Sequence, residues 1–573
     1  MAILLMALLQ VLGIASILPF MQLAAEPEAI QTNKWLNWAY TTFGFESSRQ
    51  MLIYTGIGVL TLLTLGNAFS AFTTWLQHKF AWDVAHQMAT RLLRTYLSRP
   101  YRFFLTRNSS DLLNNTLVEV VQVTRGVLLP LTELAARTLV ILVIFLLLVL
   151  VDPMLAFIVL AVLLAAYGIV YVGVRKLLER LGKARLEANE RLFKSLNEVL
   201  TGIKIFRVYG AQNFFYRRFE QASEKLIKIH PKVVVITATP RYVIEILAFG
   251  SIIGLTIYLL VSNQNLQSAL PMLSLYAVAG YRLLPALQAA FTAITKFRHS
   301  VPLLDKIHGE LTAKYDDNYN IEESDSIPVF SEQLTLNNVS FHYEASSQNV
   351  LADINLEIPK GKTVAFVGAT GSGKTTLIDL IVGLLEPKNG EVLIDQNQLK
   401  PSNASSWQKQ IGYVPQDVFL FDDTILRNIA IGQEDNEVDT AQVENAAKLA
   451  QIHEFIANEL PNGYKTTIGE RGIRMSGGQR QRMGLARALY RNPQVMIFDE
   501  ATSALDGITE NAVLEALETI ADELTVFIIA HRLATVRHAD CIFLLEAGKI
   551  VAQGTYDELL ESSSVFREMV QLS

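Results

Sequence analysis

The sequence predicts a membrane α-helical bundle of six long transmembrane helices followed by an α/β domain of the P-loop type. Three observations predict it. Long apolar runs dominate the first three hundred of the 573 residues. Only 18% of the chain is charged and the mean hydropathy is +0.28, both unusual for a wholly soluble protein of this size. After an acidic stretch, YDDNYNIEESDSIP (315–328), short β-like runs alternate with helical segments, and one run leads into GATGSGKTT (368–376). The net charge of −6 gives no bulk electrostatic reason to bind nucleic acid, so none is expected as a partner. The single cysteine, Cys541, excludes an intrachain disulfide and a Cys-rich metal site, and reads as a small core residue in a strand.

A membrane span needs about 20 mostly apolar residues. Residues 1–24 carry no charge and form the first span. With no basic leader and no A-x-A-like site, this is not a secretory signal. Residues 50–78 contain no Asp, Glu, Lys or Arg and form the second. The third ends in TLVILVIFLLLVLV (138–151) and the fourth is MLAFIVLAVLLAAYGIVYVGV (154–174). Only Asp152 and Pro153 separate these two, which requires a tight hairpin. The fifth and sixth, about 233–262 and 269–295, are joined by SNQNLQS.

Basic residues set the orientation. The connection 175–232 holds fourteen Lys and Arg, and 79–107 holds six; the opposite loops hold Lys34 and Arg49, then none and none. The basic connections and both chain ends are therefore cytoplasmic. LLERLGKARLEANERLFKSLNEVL (177–200) keeps leucines at helical spacing with charges between, so the fourth span continues as a helix. That helix would run about 75 Å and project well beyond the membrane. On the outer side, Trp35, Trp38 and Tyr40 suit a headgroup anchor, or a short external helix that meets a lipid substrate. The expected division is a membrane domain over 1–305, a linker over 306–333 and a nucleotide-binding domain over 334–573.

In the soluble half the runs LTLNNVSFHY, TVAFVG, IGYVPQ, VMIFDE, TVFIIAH and CIFLLEAGKIVAQG read as strands of a mixed α/β domain. TVAFVG enters Gly368-Ala369-Thr370-Gly371-Ser372-Gly373-Lys374-Thr375-Thr376 and then an apolar helix. This is the P-loop pattern in the context it requires. The glycines let backbone N–H groups close around a β-phosphate at a helix N-terminus. Lys374 can reach the β- and γ-phosphates, and Thr375 can ligate Mg²⁺. QVMIFDE delivers Asp499 to a strand tip, suited to the Mg²⁺ water shell, with Glu500 placed to polarise the attacking water. His531 ends a further apolar strand as a candidate γ-phosphate contact, and Gln416 ends another as a candidate Mg²⁺ ligand or γ-phosphate sensor. ATP and Mg²⁺ are the expected cofactors. A second anion loop, Ser476-Gly477-Gly478-Gln479, precedes the helix RQRMGLARAL. One P-loop already surrounds the phosphates of one ATP, so the second loop is best explained as closing over a neighbour's nucleotide.

These motifs, in this order, resemble the ATPase domain of ABC transporters: the P-loop, the signature 475–479, the strand ending in Asp499 with Glu500, Gln416, the D-loop 503–506 ending in Asp506, and His531. The resemblance makes Tyr343, in VSFHY, the aromatic that stacks on adenine. It also implies two sites between two head-to-tail ATPase domains, hence a homodimer, with Glu500 and His531 making both sites hydrolytic. Met475 stands where the family has Leu, a volume-conserving swap. Six spans and one ATPase domain resemble an ABC exporter half-transporter of a bacterial cytoplasmic (inner) membrane, its ATPase domain cytoplasmic. Within these, TPRYVIE (239–245), YRLLP (281–285) and the aromatic outer segment resemble lipid-linked oligosaccharide flippases of the PglK type. Members begin with a basic amphipathic helix, whereas this sequence opens inside span one, so a truncated or misassigned start is expected.

The function so implied is ATP-driven flipping of a polyprenyl-pyrophosphate-linked oligosaccharide to the outer leaflet. Another amphiphile (a lipid A-like lipid, a drug or a peptide) is the alternative cargo, and a non-transporting ATPase or a gated channel are the remote ones. Arg241 and Arg282 are the candidate headgroup ligands. Arg282 lies thirteen residues into span six, about 20 Å deep, where an arginine needs a partner or a wet cavity. Its bland alternatives are a pair with Glu245 or snorkelling to the inner headgroups. RPYRFFLTRN (99–108) and YGAQNFFYRRF (209–219) resemble the family's two coupling helices, with amphipathic surface helices as the alternative.

Overall fold

The computed structural model describes the chain except residues 26–29, 31–33, 152, 262–265, 314–325, 345–347, 470–471, 473–474, 500–523, 531–535 and 573; within the helices some side chains, chiefly 254–279 and that of residue 282, are likewise outside the described set. The chain divides into two compact units, Met1–Leu97 with Arg107–Lys314, and Ser98–Thr106 with Tyr315–Ser573.

The first unit is helical. The expected first span is two helices, α1 (Ala2–Ala15) and α2 (Ile17–Ala25). The break has a local cause. Pro19 has no N–H for the Ala15 carbonyl and its ring crowds that oxygen, so α1 stops there. The outer aromatic segment is a short helix, α3 (Lys34–Thr42). Leu36 buries against Leu23, Ile30 and Met51, while Trp35 and Trp38 stay exposed. α4 (Ser48–Leu97) follows, 50 residues long; α5 (Tyr101–Thr106), a short helix in the first basic connection, belongs to the second unit. Next comes α6 (Ser109–Asn114), extended through two π-helical turns, Asn115–Glu119 and Thr124–Leu128, into α7 (Leu129–Val151).

α8 (Pro153–Thr201) opens on proline, whose missing N–H costs nothing at a helix start. After α9 (Ile203–Val208), α10 (Gln212–Val261) and α11 (Leu266–Thr312) complete the unit. At 1.5 Å per residue, helices of 47 to 50 residues are about 70–75 Å long, more than twice a hydrocarbon core. Among the described residues, Ser48–Leu97, Ser109–Leu150 and Ala156–Thr201 are long and apolar enough to cross a membrane, and Ala2–Gly13 is a shorter apolar helix. Spans five and six fall in α10 and α11. α11 runs seven residues past the expected end of the membrane domain, to Thr312.

The apolar core of this unit is a stripe on α7, Ala136, Val140, Ile144 and Leu148, packed with Met6, Tyr167, Leu287 and Phe291. The four-residue spacing is one ridge of the helix surface. Beyond it lies a polar layer. Glu119 is fully buried. Asn189 Nδ2 donates to Glu119 Oε1 at 2.8 Å and to Asn114 Oδ1 at 3.2 Å, and Asn114 Nδ2 donates to Glu119 Oε1 at 3.2 Å. Arg185 lies 3.7 Å from the other carboxylate oxygen. Removing one partner of a buried charge pair leaves the other uncompensated and costs about 3–5 kcal/mol. Glu119→Ala is therefore expected to lower the thermal midpoint of the purified protein sharply, by far more than Lys228→Ala on the surface of α10. Equal midpoints for the two variants would remove the network from the stability of the unit.

The second unit carries two sheets. β1 (Gln333–Phe341), β2 (Leu351–Pro359), β4 (Asn389–Ile394) and β5 (Asn397–Gln398) form an antiparallel sheet in the order β2-β1-β4-β5. The six-stranded sheet has the order β10-β9-β3-β8-β7-β6, built from β3 (Thr363–Val367), β6 (Ile411–Val414), β7 (Val495–Asp499), β8 (Thr525–Ile529), β9 (Cys541–Glu546) and β10 (Lys549–Gly554). Its strands are parallel except β10. Parallel strands are covered on both faces and need unbroken apolar runs, which VAFV, VMIF and TVFII supply. β10 alternates instead, as a one-sided edge strand does. Ala547 and Gly548, both at positive φ, make the two-residue turn of the β9–β10 hairpin. Cys541 is in a strand as expected, but half-buried at its start.

Candidate functional site

The parallel order sets the site, because every parallel strand ends on the same edge and ligands bind beyond that edge. β3 hands over to the P-loop, β7 ends on Asp499, and Gln416 is exposed two residues past β6. A side chain at Gly368 would collide with the Leu545 carbonyl on β9, and Gly373 sits at φ +104, so both positions demand glycine. The loop enters α12 (Lys374–Ile381). Lys374 is buried, and its ammonium donates to the carbonyls of Gly368 (2.7 Å) and Ala369 (3.1 Å). The Ser372 hydroxyl is buried with no partner among the described residues. A buried, unpartnered hydroxyl at a helix N-terminus, beside a lysine ammonium, fits a phosphate. Thr375 is exposed on the first turn, and Thr376 bonds Tyr343 between their hydroxyls at 3.1 Å. Tyr343 also meets Phe341 edge-on, which fixes its ring beside the loop.

Asp499 Oδ2 accepts from the Tyr413 hydroxyl at 2.9 Å. Burial, and then the Asp499 charge, push the Asp379 carboxyl of α12 up to about 6. Burial raises the Tyr413 phenol too, with Asp499 adding to it. Tyr101, on the short helix α5 that belongs to this unit, is raised by burial first and by Asp379 second. Its neighbour Arg102 lies 3.6 Å from Glu344, next to Tyr343. Among the described residues no group of three His, Cys, Asp or Glu side chains could hold a metal alone. Mg²⁺ takes one or two protein ligands and completes its octahedron with phosphate oxygens and water. Asp499, Thr375 and Gln416 are the residues of the right kind.

The second anion loop begins α13 (Gly477–Tyr490). Ser476 is its N-cap: its hydroxyl accepts from Gln479 N–H, and the Gln479 side chain accepts from Ser476 N–H. This capping box uses two donors and leaves Gly477 and Gly478 to present theirs outward. Met475 is buried, as an apolar stand-in for Leu requires. Further along α13, Arg487 donates to the carbonyls of Phe419 and Asn428, each at 2.8 Å, and burial pulls its guanidinium down to about 10. It ties α13 to the segment after Gln416.

Glu500, Asp506 and His531 lie outside the described residues. So does the Arg282 side chain, on α11. Arg241 is exposed on α10 and pairs with Glu245 at 2.7 Å, the glutamate expected as the bland partner of Arg282. Tyr413, Asp379 and Arg487 carry site contacts that the sequence reading did not single out. The second coupling stretch, 209–219, is a turn at Gly210 and the start of α10, with Phe215 stacked on Phe206 of α9 at 3.9 Å.

The ABC transporter family matches residues 351–503, and the ABC transporter transmembrane region family matches residues 3–280. A putative multidrug export ATP-binding/permease protein of Bacillus subtilis, YgaD, is 31% identical over 87% of this chain and 84% of its own length. An ATP-dependent lipid A-core flippase of Chromohalobacter salexigens is 32% identical over 87% of this chain and 85% of its own. The structure of a bacterial Atm1-family ABC exporter with ATP bound superimposes with a TM-score of 0.82 at 24% identity, covering 100% of this chain and 97% of the other.

Proposed function

The chain belongs to the ABC transporter family, with an exporter-type helical membrane domain and an ATP-hydrolysing domain, and on that premise we propose that two copies form an ATP-driven flippase for a lipid with a bulky phosphate-bearing saccharide headgroup. The observation that carries the dimer is the pairing of motifs: each chain has one P-loop on α12 and one capped anion loop on α13. Each loop serves the opposite chain's nucleotide, so two chains make two sites. ATP is bound with Mg²⁺, Glu500 polarises the water, and His531 meets the γ-phosphate. Transport runs from the cytoplasmic to the outer leaflet of a bacterial inner membrane.

The cargo we favour is a polyprenyl-pyrophosphate-linked oligosaccharide, on the strength of TPRYVIE and YRLLP. A guanidinium fork suits pyrophosphate oxygens better than an ammonium does. Arg241 holds Glu245 through an i,i+4 pair, which a pyrophosphate would replace. A lipid A-core lipid is the second reading, supported by the Chromohalobacter relative.

ATPase activity in nanodiscs tests both. Stimulation by the polyprenyl lipid alone supports the first reading, and stimulation by lipid A-core alone supports the second. Stimulation by neither, with a response to cationic drugs, overturns the headgroup assignment. Arg282→Ala should lower the lipid-stimulated rate about tenfold, the loss of one charged hydrogen bond, and leave the basal rate unchanged. Wild-type transport by both Arg282→Ala and Arg241→Ala would dismiss these residues as ligands.

A further inference from the structure

We propose that Tyr413 is a positioning residue for the metal-binding carboxylate, its hydroxyl holding Asp499 in the orientation that receives the Mg²⁺ of bound ATP. The inference rests on the proposed role of Asp499 as the Mg²⁺ carboxylate. β6 and β7 run parallel with Tyr413 opposite Ile497. Asp499 is two residues further along β7, so all three side chains project from one face of the sheet. A diagonal neighbour across a strand pair stands about 7–8 Å away, within reach of a tyrosine but of few other side chains. The reach is used: the hydroxyl closes on Asp499 Oδ2 at 2.9 Å. The face is also the right one, because Ile497 packs in the same core as Leu377 and Ile378 of α12, the helix that carries the P-loop lysine.

Packing does not explain the hydroxyl. Gly412 and Val414, flanking Tyr413, are buried while Tyr413 itself is partly exposed, and phenylalanine would fill the same volume. The oxygen matters because Asp499 has a like-charged neighbour, Asp379. Two carboxylates near one ion site repel, and a donor on one oxygen of Asp499 restricts how far that group can turn away.

The test compares Tyr413→Phe with wild type in the full-length dimer, by equilibrium binding of a fluorescent ATP analogue with Mg²⁺ and with EDTA. The expected result is unchanged affinity in EDTA and about a tenfold loss of the gain that Mg²⁺ brings, the size of one lost hydrogen bond to a charged group. The half-saturating Mg²⁺ concentration for ATPase should rise by the same factor, with the thermal midpoint unchanged. Equal losses with and without Mg²⁺, or none in either, would overturn the inference. Asp499→Asn separates the two layers. If it abolishes the Mg²⁺ gain while Tyr413→Phe keeps it, only the positioning role fails. If Asp499→Asn itself keeps the gain, the metal-carboxylate reading fails as well.

Discussion

Glu500→Gln is expected to bind ATP as wild type does, to stop hydrolysis, and to accumulate a nucleotide-bound dimer. The two halves of that result come from different parts of the sheet edge. On the proposed reading, binding rests on the P-loop, where Gly368 lies against β9, Ser372 is buried and the Lys374 ammonium meets the Gly368 and Ala369 carbonyls. It also rests on Tyr343, fixed by Phe341 and Thr376. Hydrolysis instead needs a group that draws a proton from water, and an amide has the shape of the carboxylate without its basicity. A positioned general base contributes about 10²–10⁴-fold, so the ATPase rate should fall by at least about a hundredfold. With chemistry slowed and binding unchanged, ATP stays on the protein. Radiolabelled ATP co-eluting with the dimer on size exclusion measures this directly. A rate near wild type would take Glu500 out of the mechanism and leave Asp499 and His531 as the polar groups to examine.

What was legible in the sequence depends on how locally each feature is encoded. The parallel strands stood out because a strand covered on both faces must be apolar at every position, and Val495–Phe498 shows that without any partner in view. The antiparallel sheet was read less well. β1 stands out in the sequence and β2 and β4 do not, although LADINLEIP alternates inward and outward along its length as a one-sided strand does. The break after Ala15 was legible too, since Pro19 lies four residues on. The π-turns at 115–119 and 124–128 were not, because one extra residue in a turn barely disturbs an apolar period. Tyr413 is of another kind. Its importance follows from a register between strands eighty residues apart, and no single strand contains that. Arg241 lies between: the Glu245 pair was readable from i,i+4 spacing, while its meaning depends on a ligand.

The two phosphate loops predict the outcome of a mixing experiment. Ser476 caps α13 through its hydroxyl, and losing an N-cap costs about 0.5–2 kcal/mol. Arginine there also sets a cation at the positive end of the helix, where the loop is to accept phosphate. Ser476→Arg should therefore abolish hydrolysis, as should Lys374→Ala, which strips the P-loop of its ammonium. Combining the two chains distinguishes the arrangements. If each loop serves the other chain's nucleotide, one composite site of the mixed dimer collects both defects and the second keeps an intact P-loop and an intact Ser476. Hydrolysis then returns. If each chain used its own two loops, every site would hold one defect and the mixed dimer would be dead. Differently tagged chains purified through both tags isolate that species. The reciprocal dimer pairs wild type with a chain carrying both substitutions. Across chains it spoils both sites, while within chains it spares one. Activity in the first dimer and silence in the second is the expected pattern. The opposite pattern would mean that Ser476 acts on its own chain's ATP, and the homodimer argument would lose its foundation.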